Sequence, residues 1–451
     1  MLPRALVEKY QRPGPRYTSY PTALHFTDHV VEDTLIAEAA AETGPRSLYF
    51  HLPFCESLCW FCACAKVITQ DTTKADRYLD ALAREMDAYI AVTGAERPVE
   101  QLHLGGGSPS FFTVPQLGRL QRLVEERFQY TPDAELSVEL DPRTVDADKI
   151  AVLAEAGFRR ASFGVQDVEP KVQHAVHRIQ PSKMNRQCIE QARGAGFTSI
   201  NIDLIYGLPE QRPDSWARTL DEVLSYSPDR LAVFAYAHVP WAAPAQRILE
   251  KRSPLPDAET RLEMLEMANE RLLAAGYHFI GMDHYALPDD ELSVAQREGS
   301  LHRNFQGYST RAGREIAGFG MSAISQTHGS FRQNLKDLEA YYAAVEKGEW
   351  PLERGYLLTE DDHIRRYAIM EVMCHGQLRW DDLRERFGIE PTAYFQEALP
   401  QLSTMEEDGL LTLNAEEGLN VTHIGWRLLR NIAMTFDAYL KPQEQRHART
   451  I

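Results

Sequence analysis

The chain has 451 residues, 44% of them hydrophobic and 25% charged, with a formal net charge of −17. That length calls for two or three structural units, and the acidic balance excludes a general affinity for nucleic acid or anionic lipid. No apolar run reaches the ~20 residues of a membrane span and no secretory signal opens the chain, so a cytoplasmic protein is expected.

Residues 1–46 read as an N-terminal arm. The turn-rich Arg12-Pro13-Gly14-Pro15-Arg16 leads into Tyr17-Thr18-Ser19-Tyr20-Pro21-Thr22, and a helix is predicted near 31–42. From 47 the pattern changes to short apolar runs alternating with amphipathic stretches. Strands are predicted at 47–52, 100–104, 134–140, 159–164, 198–205 and 230–236, with helices near 74–92, 114–128, 146–156, 184–195 and 213–226. That alternation predicts right-handed βαβ units on a parallel sheet, an α/β class of fold. Six units make an open or partial barrel, with 277–283 the last clear strand. The polar-aromatic stretch 284–334 is expected to be an irregular loop covering a site, which carries this second region to 350. A composition break near 350–358 opens a third region, 351–451. Helices are predicted there at 359–375, 380–387, 394–408 and 423–438, and 410–413 pairs with 418–422 as a hairpin. The result is a mostly helical, winged-helix-like domain. Residues 359–451 carry ten Lys/Arg against sixteen Asp/Glu, so a DNA-reading wing is not expected. Packing or lid work is.

Four of the six cysteines fall within ten residues, at Cys55, Cys59, Cys62 and Cys64. In a reducing compartment such a cluster reads as metal binding. Cys-x3-Cys-x2-Cys directly after the first strand wraps a loop so that three thiolates converge, and thiolates suit iron–sulfur clusters and zinc. Structural zinc wants four closed ligands, usually as two separated pairs. Here Cys188 and Cys374 stand alone, and Cys64 would crowd a fourth thiolate into the same ten residues. An iron–sulfur cluster with one open iron is the favoured reading. Cys64 reads equally as a pocket residue or as a small buried hydrophobe.

After the second strand comes Gly105-Gly106-Gly107-Ser108-Pro109. Glycines let the backbone approach a ligand and leave bare N–H groups for a carboxylate. The run matches neither the phosphate loop nor the dinucleotide fingerprint. Glu139, Gln166-Asp167 and Asp203 fall at or near the carboxyl ends of successive strands, where parallel sheets gather their sites. Any one of them alone is as readily a surface acid or a helix cap, and Asp141 is read as a cap. Arg178 is placed either against one of the acids or against a ligand carboxylate.

The cysteine spacing, the glycine run and the polar strand ends together resemble the radical S-adenosylmethionine superfamily. Longer runs sharpen the resemblance: Tyr17-Thr-Ser-Tyr-Pro-Thr-Ala, Cys62-Ala63-Cys64, Asn201-Ile-Asp-Leu-Ile-Tyr-Gly-Leu-Pro, Tyr236-Ala237-His238, Gly281-Met-Asp-His and Leu301-His-Arg-Asn-Phe-Gln-Gly-Tyr308. Over essentially the whole chain these are similar to the oxygen-independent coproporphyrinogen III oxidases. Two departures are small: Ala63 stands where the family often has Gly, and Ser108 where it often has Thr.

The resemblance implies a partial (β/α)6 barrel, a 4Fe–4S cluster on Cys55, Cys59 and Cys62, and S-adenosylmethionine on the open iron. Tyr49, Phe54 and Cys64 would border these cofactors, with Gly106, Gly107 and Ser108 at the methionine part. Glu139, Gln166, Arg178 and Asp203 would hold its polar groups, Asp203 at the ribose. Ala237, Phe305, Gln306 and Ile324 match positions that touch a second S-adenosylmethionine. The implied reaction turns two propionates of coproporphyrinogen III into vinyl groups, giving protoporphyrinogen IX for heme biosynthesis. A low-potential donor of flavodoxin or ferredoxin type would supply electrons, and a monomer suffices. Propionates need cationic partners, for which Arg16, His302 and Arg303 are candidates, although an ordinary surface ion pair ranks slightly higher for either arginine. His238 and His284 read first as satisfied core histidines. The competing readings are a heme chaperone of the same superfamily, a radical methyltransferase of similar layout and a metal-sensing winged-helix regulator.

Overall fold

The structure is a computed structural model and describes residues 3–311, 313 and 315–440. Two compact units interleave along the chain. The larger comprises Phe26–Met264 and Gly313–Leu357; the smaller comprises Met1–His25, Leu265–Ala312 and Leu358–Ile451.

In the larger unit, six strands follow one another with helices between: β1 (Arg46–Leu52), β2 (Val99–Gly106), β3 (Tyr130–Leu140), β4 (Arg160–Gln166), β5 (Ser199–Tyr206) and β6 (Arg230–Ala235). Each pairs in parallel with the next. The intervening helices Lys74–Thr93, Val114–Glu125, Ala147–Glu155, Ser182–Gly194 and Pro213–Leu224 cover one face. Side chains alternate across a strand, so Leu102 and Leu104 of β2 meet Leu117, Leu120 and Val124 of one helix and Leu153 of the next. Leu48, Phe50 and Leu52 of β1 are likewise fully buried. Each such side chain contributes roughly 1.5–3 kcal/mol. Helix starts are set locally: Asp146 accepts from the Lys149 N–H at 2.9 Å, and Gln116 accepts from the Thr113 N–H at 3.0 Å. These caps satisfy otherwise orphaned donors.

The stretch 284–334, expected as an irregular loop, is mostly regular structure. On the larger unit, Glu315–Phe319 pairs in parallel with β1 on the edge away from β2, and Ile324–Gln326, Ser330–Asn334 and Leu352–Leu357 continue antiparallel, making the sheet mixed. The periodicity hid these strands because Glu315–Phe319 and Ser330–Asn334 are buried on both faces, which erases the alternation that marks a half-exposed strand.

The smaller unit holds a hairpin of His278–Gly281 with His284–Ala286, the helix Glu291–Glu298, and a second hairpin of His302–Asn304 with Gly307–Ser309. Ile280, Ala286, Leu292, Leu301, Tyr308 and Cys374 share one core. Its C-terminal part has the helices Glu360–His375, Trp380–Phe387 and Leu399–Glu407. They flank a three-stranded sheet ordered Gln377–Arg379, Gly418–Val421, Leu411–Asn414. The helix predicted over 423–438 is instead three short turns, Gly425–Leu428, Leu429–Ala433 and Met434–Phe436. The Arg4–Tyr10 helix was not expected at all.

Candidate functional site

β1 runs into Pro53, and Phe54–Cys55 then pairs briefly in parallel with Val67–Ile68. This closes the cysteine loop, whose neck is held by Val67 N–H to the Pro53 carbonyl at 2.8 Å and Thr69 N–H to the Cys55 carbonyl at 3.0 Å. Its tip is pinned by Trp60 N–H to the Val176 carbonyl at 3.1 Å and by His177 Nδ1 donating to the Leu58 carbonyl at 2.9 Å. The Trp60 ring stacks on His177 at 5.0 Å, with the Arg252 guanidinium 4.4 Å from its centroid. The turn is therefore anchored at its neck and tip by contacts that use none of its cysteine side chains.

Cys55, Cys59 and Cys62 lie close enough to sense one another's charge. Burial, then Cys62 and Cys59, pushes the Cys55 thiol up to about 12. The hydrogen bond from Cys64 pulls Cys62 down to about 6. Cys59 Sγ accepts from Arg143 Nη2 at 3.3 Å and from Arg178 Nη1 at 3.4 Å. Gathered thiolates repel, so they need positive charge around them; two guanidiniums provide part of it. Among the described residues, no three His, Cys, Asp or Glu side chains converge on a single ion.

Asp141 ties these arginines down. It accepts from Arg143 N, Nε and Nη2, and from Arg178 Nη1 at 3.2 Å. Burial alone would raise its carboxyl, but Arg178 and Arg143 outweigh that and hold it at about 2. The cap reading of Asp141 is corrected: the next helix is capped by Asp146, and Asp141 is the shared anion of an ion triad. Arg178 also donates from Nη2 to the Gly164 carbonyl at 2.6 Å, which links the cysteine loop to the end of β4.

The glycine run is shaped by proximity. At Gly106 φ is +116°, and a Cβ on Gly107 would lie 2.3 Å from the Pro53 carbonyl oxygen. The run must be bare to pass under the cysteine loop. Next to it, a cavity of about 120 Å³ is lined by Cys55, Ser57, Ser108, Asp141, Arg143 and Thr144 among others.

The sheet face away from the helices carries a polar belt. Tyr49 donates to His51 Nδ1 at 3.0 Å and stacks on His103 at 6.0 Å. His103 bridges Ser137 at 2.8 Å and Glu139 at 3.3 Å. Asp203 accepts from Ser162 Oγ at 3.0 Å and Asn201 Nδ2 at 2.8 Å. Burial raises the Asp203 carboxyl to about 6, with Glu139 adding to the shift. Glu139 is also driven up by burial, but His103 and the Gly106 N–H pull it below its ordinary range. Gln166 sits at φ +68°, and its Oε1 is buried without a hydrogen-bond partner.

Of the residues singled out from the sequence, Cys55, Cys59, Cys62, Cys64, Tyr49, Gly106, Gly107, Ser108, Glu139, Gln166, Arg178 and Asp203 all stand on the larger unit. So do Ala237, which is exposed, and Ile324, which is half-buried. Phe305 and Gln306 belong to the smaller unit, where Gln306 Nε2 is buried without a partner. The Phe54 side chain is fully buried among Tyr78, Phe111 and Phe112, leaving only its backbone for a ligand. Asp167 is absorbed by Gln211, Thr219 and the Glu169 N–H. His238 is satisfied by Tyr236 and Glu250. His51, His103, Ser137, Arg143, Ser162 and Asn201 were given no site role from the sequence. The signal for most of them was available: in strands covered by helices, a polar residue at every second position marks the uncovered face.

The donor set fits an iron–sulfur cluster with an adenosyl ligand. Three soft sulfurs share one loop, the sulfur of Cys59 accepts two cationic hydrogen bonds, and Gln166 Oε1 is a buried acceptor without a hydrogen-bond partner.

Comparison with known proteins agrees. Residues 49–223 match the Radical SAM superfamily and residues 358–428 the HemN C-terminal domain. The oxygen-independent coproporphyrinogen III oxidase of Salmonella typhimurium is 47% identical over 99% of this chain and 98% of its own length. That of Pseudomonas aeruginosa is 43% identical over the same shares. The solved structure of coproporphyrinogen III oxidase (HemN) from Escherichia coli, described as a radical SAM enzyme, superposes with a TM-score of 0.93 at 44% identity, covering 98% of this chain and 99% of that one.

Proposed function

This chain belongs to the oxygen-independent coproporphyrinogen III oxidase family of radical S-adenosylmethionine enzymes, and on that premise we propose how its residues divide the work. It is an oxidoreductase of heme biosynthesis that converts coproporphyrinogen III to protoporphyrinogen IX. A bound 4Fe–4S cluster and S-adenosylmethionine would supply a 5′-deoxyadenosyl radical able to take a hydrogen atom from a propionate β-carbon, so that loss of carbon dioxide and transfer of one electron to an external one-electron acceptor would leave a vinyl group. No side-chain acid or base breaks such a bond, so the protein's part is placement and exclusion of water.

Cys55, Cys59 and Cys62 bind three irons of the cluster. Arg143 and Arg178 neutralise the sulfur of Cys59 and are themselves held by Asp141. The bare backbone of Gly106 and Gly107, with Ser108, receives the methionine part of S-adenosylmethionine. Gln166 Oε1 accepts from its amino group, while Glu139 and Asp203 take its remaining donors, Asp203 at the ribose. What supports this reading is the pair of guanidiniums, Arg143 and Arg178, that donate to Cys59 Sγ on the loop that also carries Cys55 and Cys62.

A second S-adenosylmethionine, a low-potential flavodoxin- or ferredoxin-type donor and a cytoplasmic setting complete the reading. The buried, unpartnered amide of Gln306 supports the first. The need of a thiolate-held cluster for reducing conditions supports the others. No helix among the described residues is long and apolar enough to cross a membrane.

The test is anaerobic iron–sulfide reconstitution followed by reaction with coproporphyrinogen III. 5′-Deoxyadenosine and a product lighter by two formic-acid equivalents are expected, and Cys59→Ala abolishes both. Full-rate product formation by Cys59→Ala would overturn the ligand assignment.

A further inference from the structure

We propose that Arg303 and Arg16 form a carboxylate-binding subsite within the smaller unit that receives a propionate of the tetrapyrrole. The inference rests on the coproporphyrinogen reading above and adds to it the residues that recognise the substrate's charge.

Arg303 lies in the strand His302–Asn304 and is 3% exposed. An exposed ion pair was the expectation for it; the structure encloses it instead. Its Nε donates to the Arg16 backbone carbonyl at 3.3 Å, and the guanidinium stands 4.7 Å from the centroid of the Tyr308 ring. Nη1 is buried with no hydrogen-bond partner. Neither the carbonyl nor the ring cancels a full positive charge. The carboxylate whose charge Arg303 feels, Asp283, is ion-paired with Arg16 instead. Nearby His284, edge-on to Tyr308 at 5.3 Å, adds no counter-charge: burial, then Arg303, pushes it down to about 3 and keeps it neutral.

A guanidinium does not shed its proton to escape burial. An enclosed and unpaired one is among the costliest groups a fold can hold. A purely structural position would be filled better by an apolar side chain of similar volume. The cost is recovered when an anion arrives, and the planar guanidinium fork suits a carboxylate. The seat is also rigid. Tyr308 is fixed by its hydroxyl donating to the Met373 carbonyl at 2.9 Å. At Gly281 a Cβ would lie 2.4 Å from that hydroxyl oxygen, so the backbone leaves this ring no slack. In a chain of net charge −17, a local surplus of cation is a selective feature, and the substrate brings four carboxylates.

The test uses the reconstituted full-length enzyme and its Arg303→Met and Arg303→Lys variants. Arg303→Met is expected to raise KM for coproporphyrinogen III about ten- to hundredfold, with a smaller change in kcat, and Arg303→Lys to recover part of the loss. In parallel, fluorescence titration compares coproporphyrin III, with four carboxylates, against mesoporphyrin IX, with two. Wild type prefers the former and Arg303→Met loses the preference. The change in the reduced cluster's EPR signal on adding S-adenosylmethionine reports that each variant is folded and loaded. An unaltered KM together with an unaltered preference in Arg303→Met overturns the proposal. If wild type consumes no coproporphyrinogen, the functional reading fails, and the titration still decides on Arg303. Should Arg303→Met not fold, Arg16→Gln, at a side chain 38% exposed, carries the same measurements.

Discussion

Arg178 reaches three acceptors at once: the sulfur of Cys59, the Asp141 carboxylate and the Gly164 carbonyl. Removing its charge leaves Cys59 with Arg143 alone. Positive charge favours the more negative, reduced cluster, so Arg178→Met is expected to shift the midpoint potential to more negative values, on the order of tens of millivolts. Spectropotentiometry checks this independently of turnover. Asp203 offers a second experiment. Burial, with Glu139 adding to it, pushes its carboxyl up to about 6, and it accepts donors best when ionised. Affinity for S-adenosylmethionine should therefore be full above pH 6 and fall as the pH drops through that value. Asp203→Asn should bind about tenfold more weakly at pH 8 and show no such pH step. Equilibrium dialysis on reconstituted protein from pH 5 to 8 decides; a step of equal size in the variant would refute the role.

The helix Lys74–Thr93 shows how an element is locked in place. Its Tyr78 hydroxyl donates to the His51 carbonyl at 2.7 Å and accepts from the Met321 N–H at 3.0 Å. One turn of helix thereby holds both the end of β1 and the turn after Phe319. Two turns on, Glu85 accepts from Tyr341, Gly320 N–H and Asn334 at 2.7, 2.8 and 2.6 Å. Burial outweighs these bonds and raises Glu85 from 4.5 to about 7. The folded chain thus binds this proton more tightly than the unfolded chain does. Stability from Glu85 is complete below pH 4.5 and is lost as the pH rises to about 7, by on the order of 3 kcal/mol. Urea unfolding of wild type and Glu85→Gln across pH 5 to 8 tests this: the wild-type decline should flatten in the variant, whatever its absolute stability. The glycine turn is a second such element. Gly107→Ala drives a methyl group into the Pro53 carbonyl, so it should reduce iron loading at reconstitution while far-UV circular dichroism stays close to wild type.

At the scale of the whole molecule, the larger unit is a mixed sheet with six parallel βα repeats flanked on one side by the strands of 315–357, and the smaller is assembled from three separated stretches of chain. The cysteine loop is anchored by Trp60, His177 and its own neck, so stripping the iron with a chelator should leave secondary structure intact and lower the thermal midpoint only modestly; calorimetry with and without chelator measures it. The six parallel strands were legible in advance to within a few residues, because a helix-covered strand and its following helix write their periods into ten or twenty consecutive residues. The loop that carries Cys55, Cys59 and Cys62 was legible for a similar reason, since short spacing sets the three cysteines on one closed turn. Glu315–Phe319 was not, because it is short, buried on both faces and paired with a strand over 260 residues earlier. Nor was the partnership of Arg178 with Asp141 and Cys59, the enclosure of Phe54, or the burial of Arg303 beside Arg16. Sequence alone determined the repeating elements and where the cysteine loop and the polar strand ends fall along them, since both are encoded within a local window. Only the tertiary structure decided which charges meet, because pairing and desolvation depend on groups that the chain separates and folding brings together.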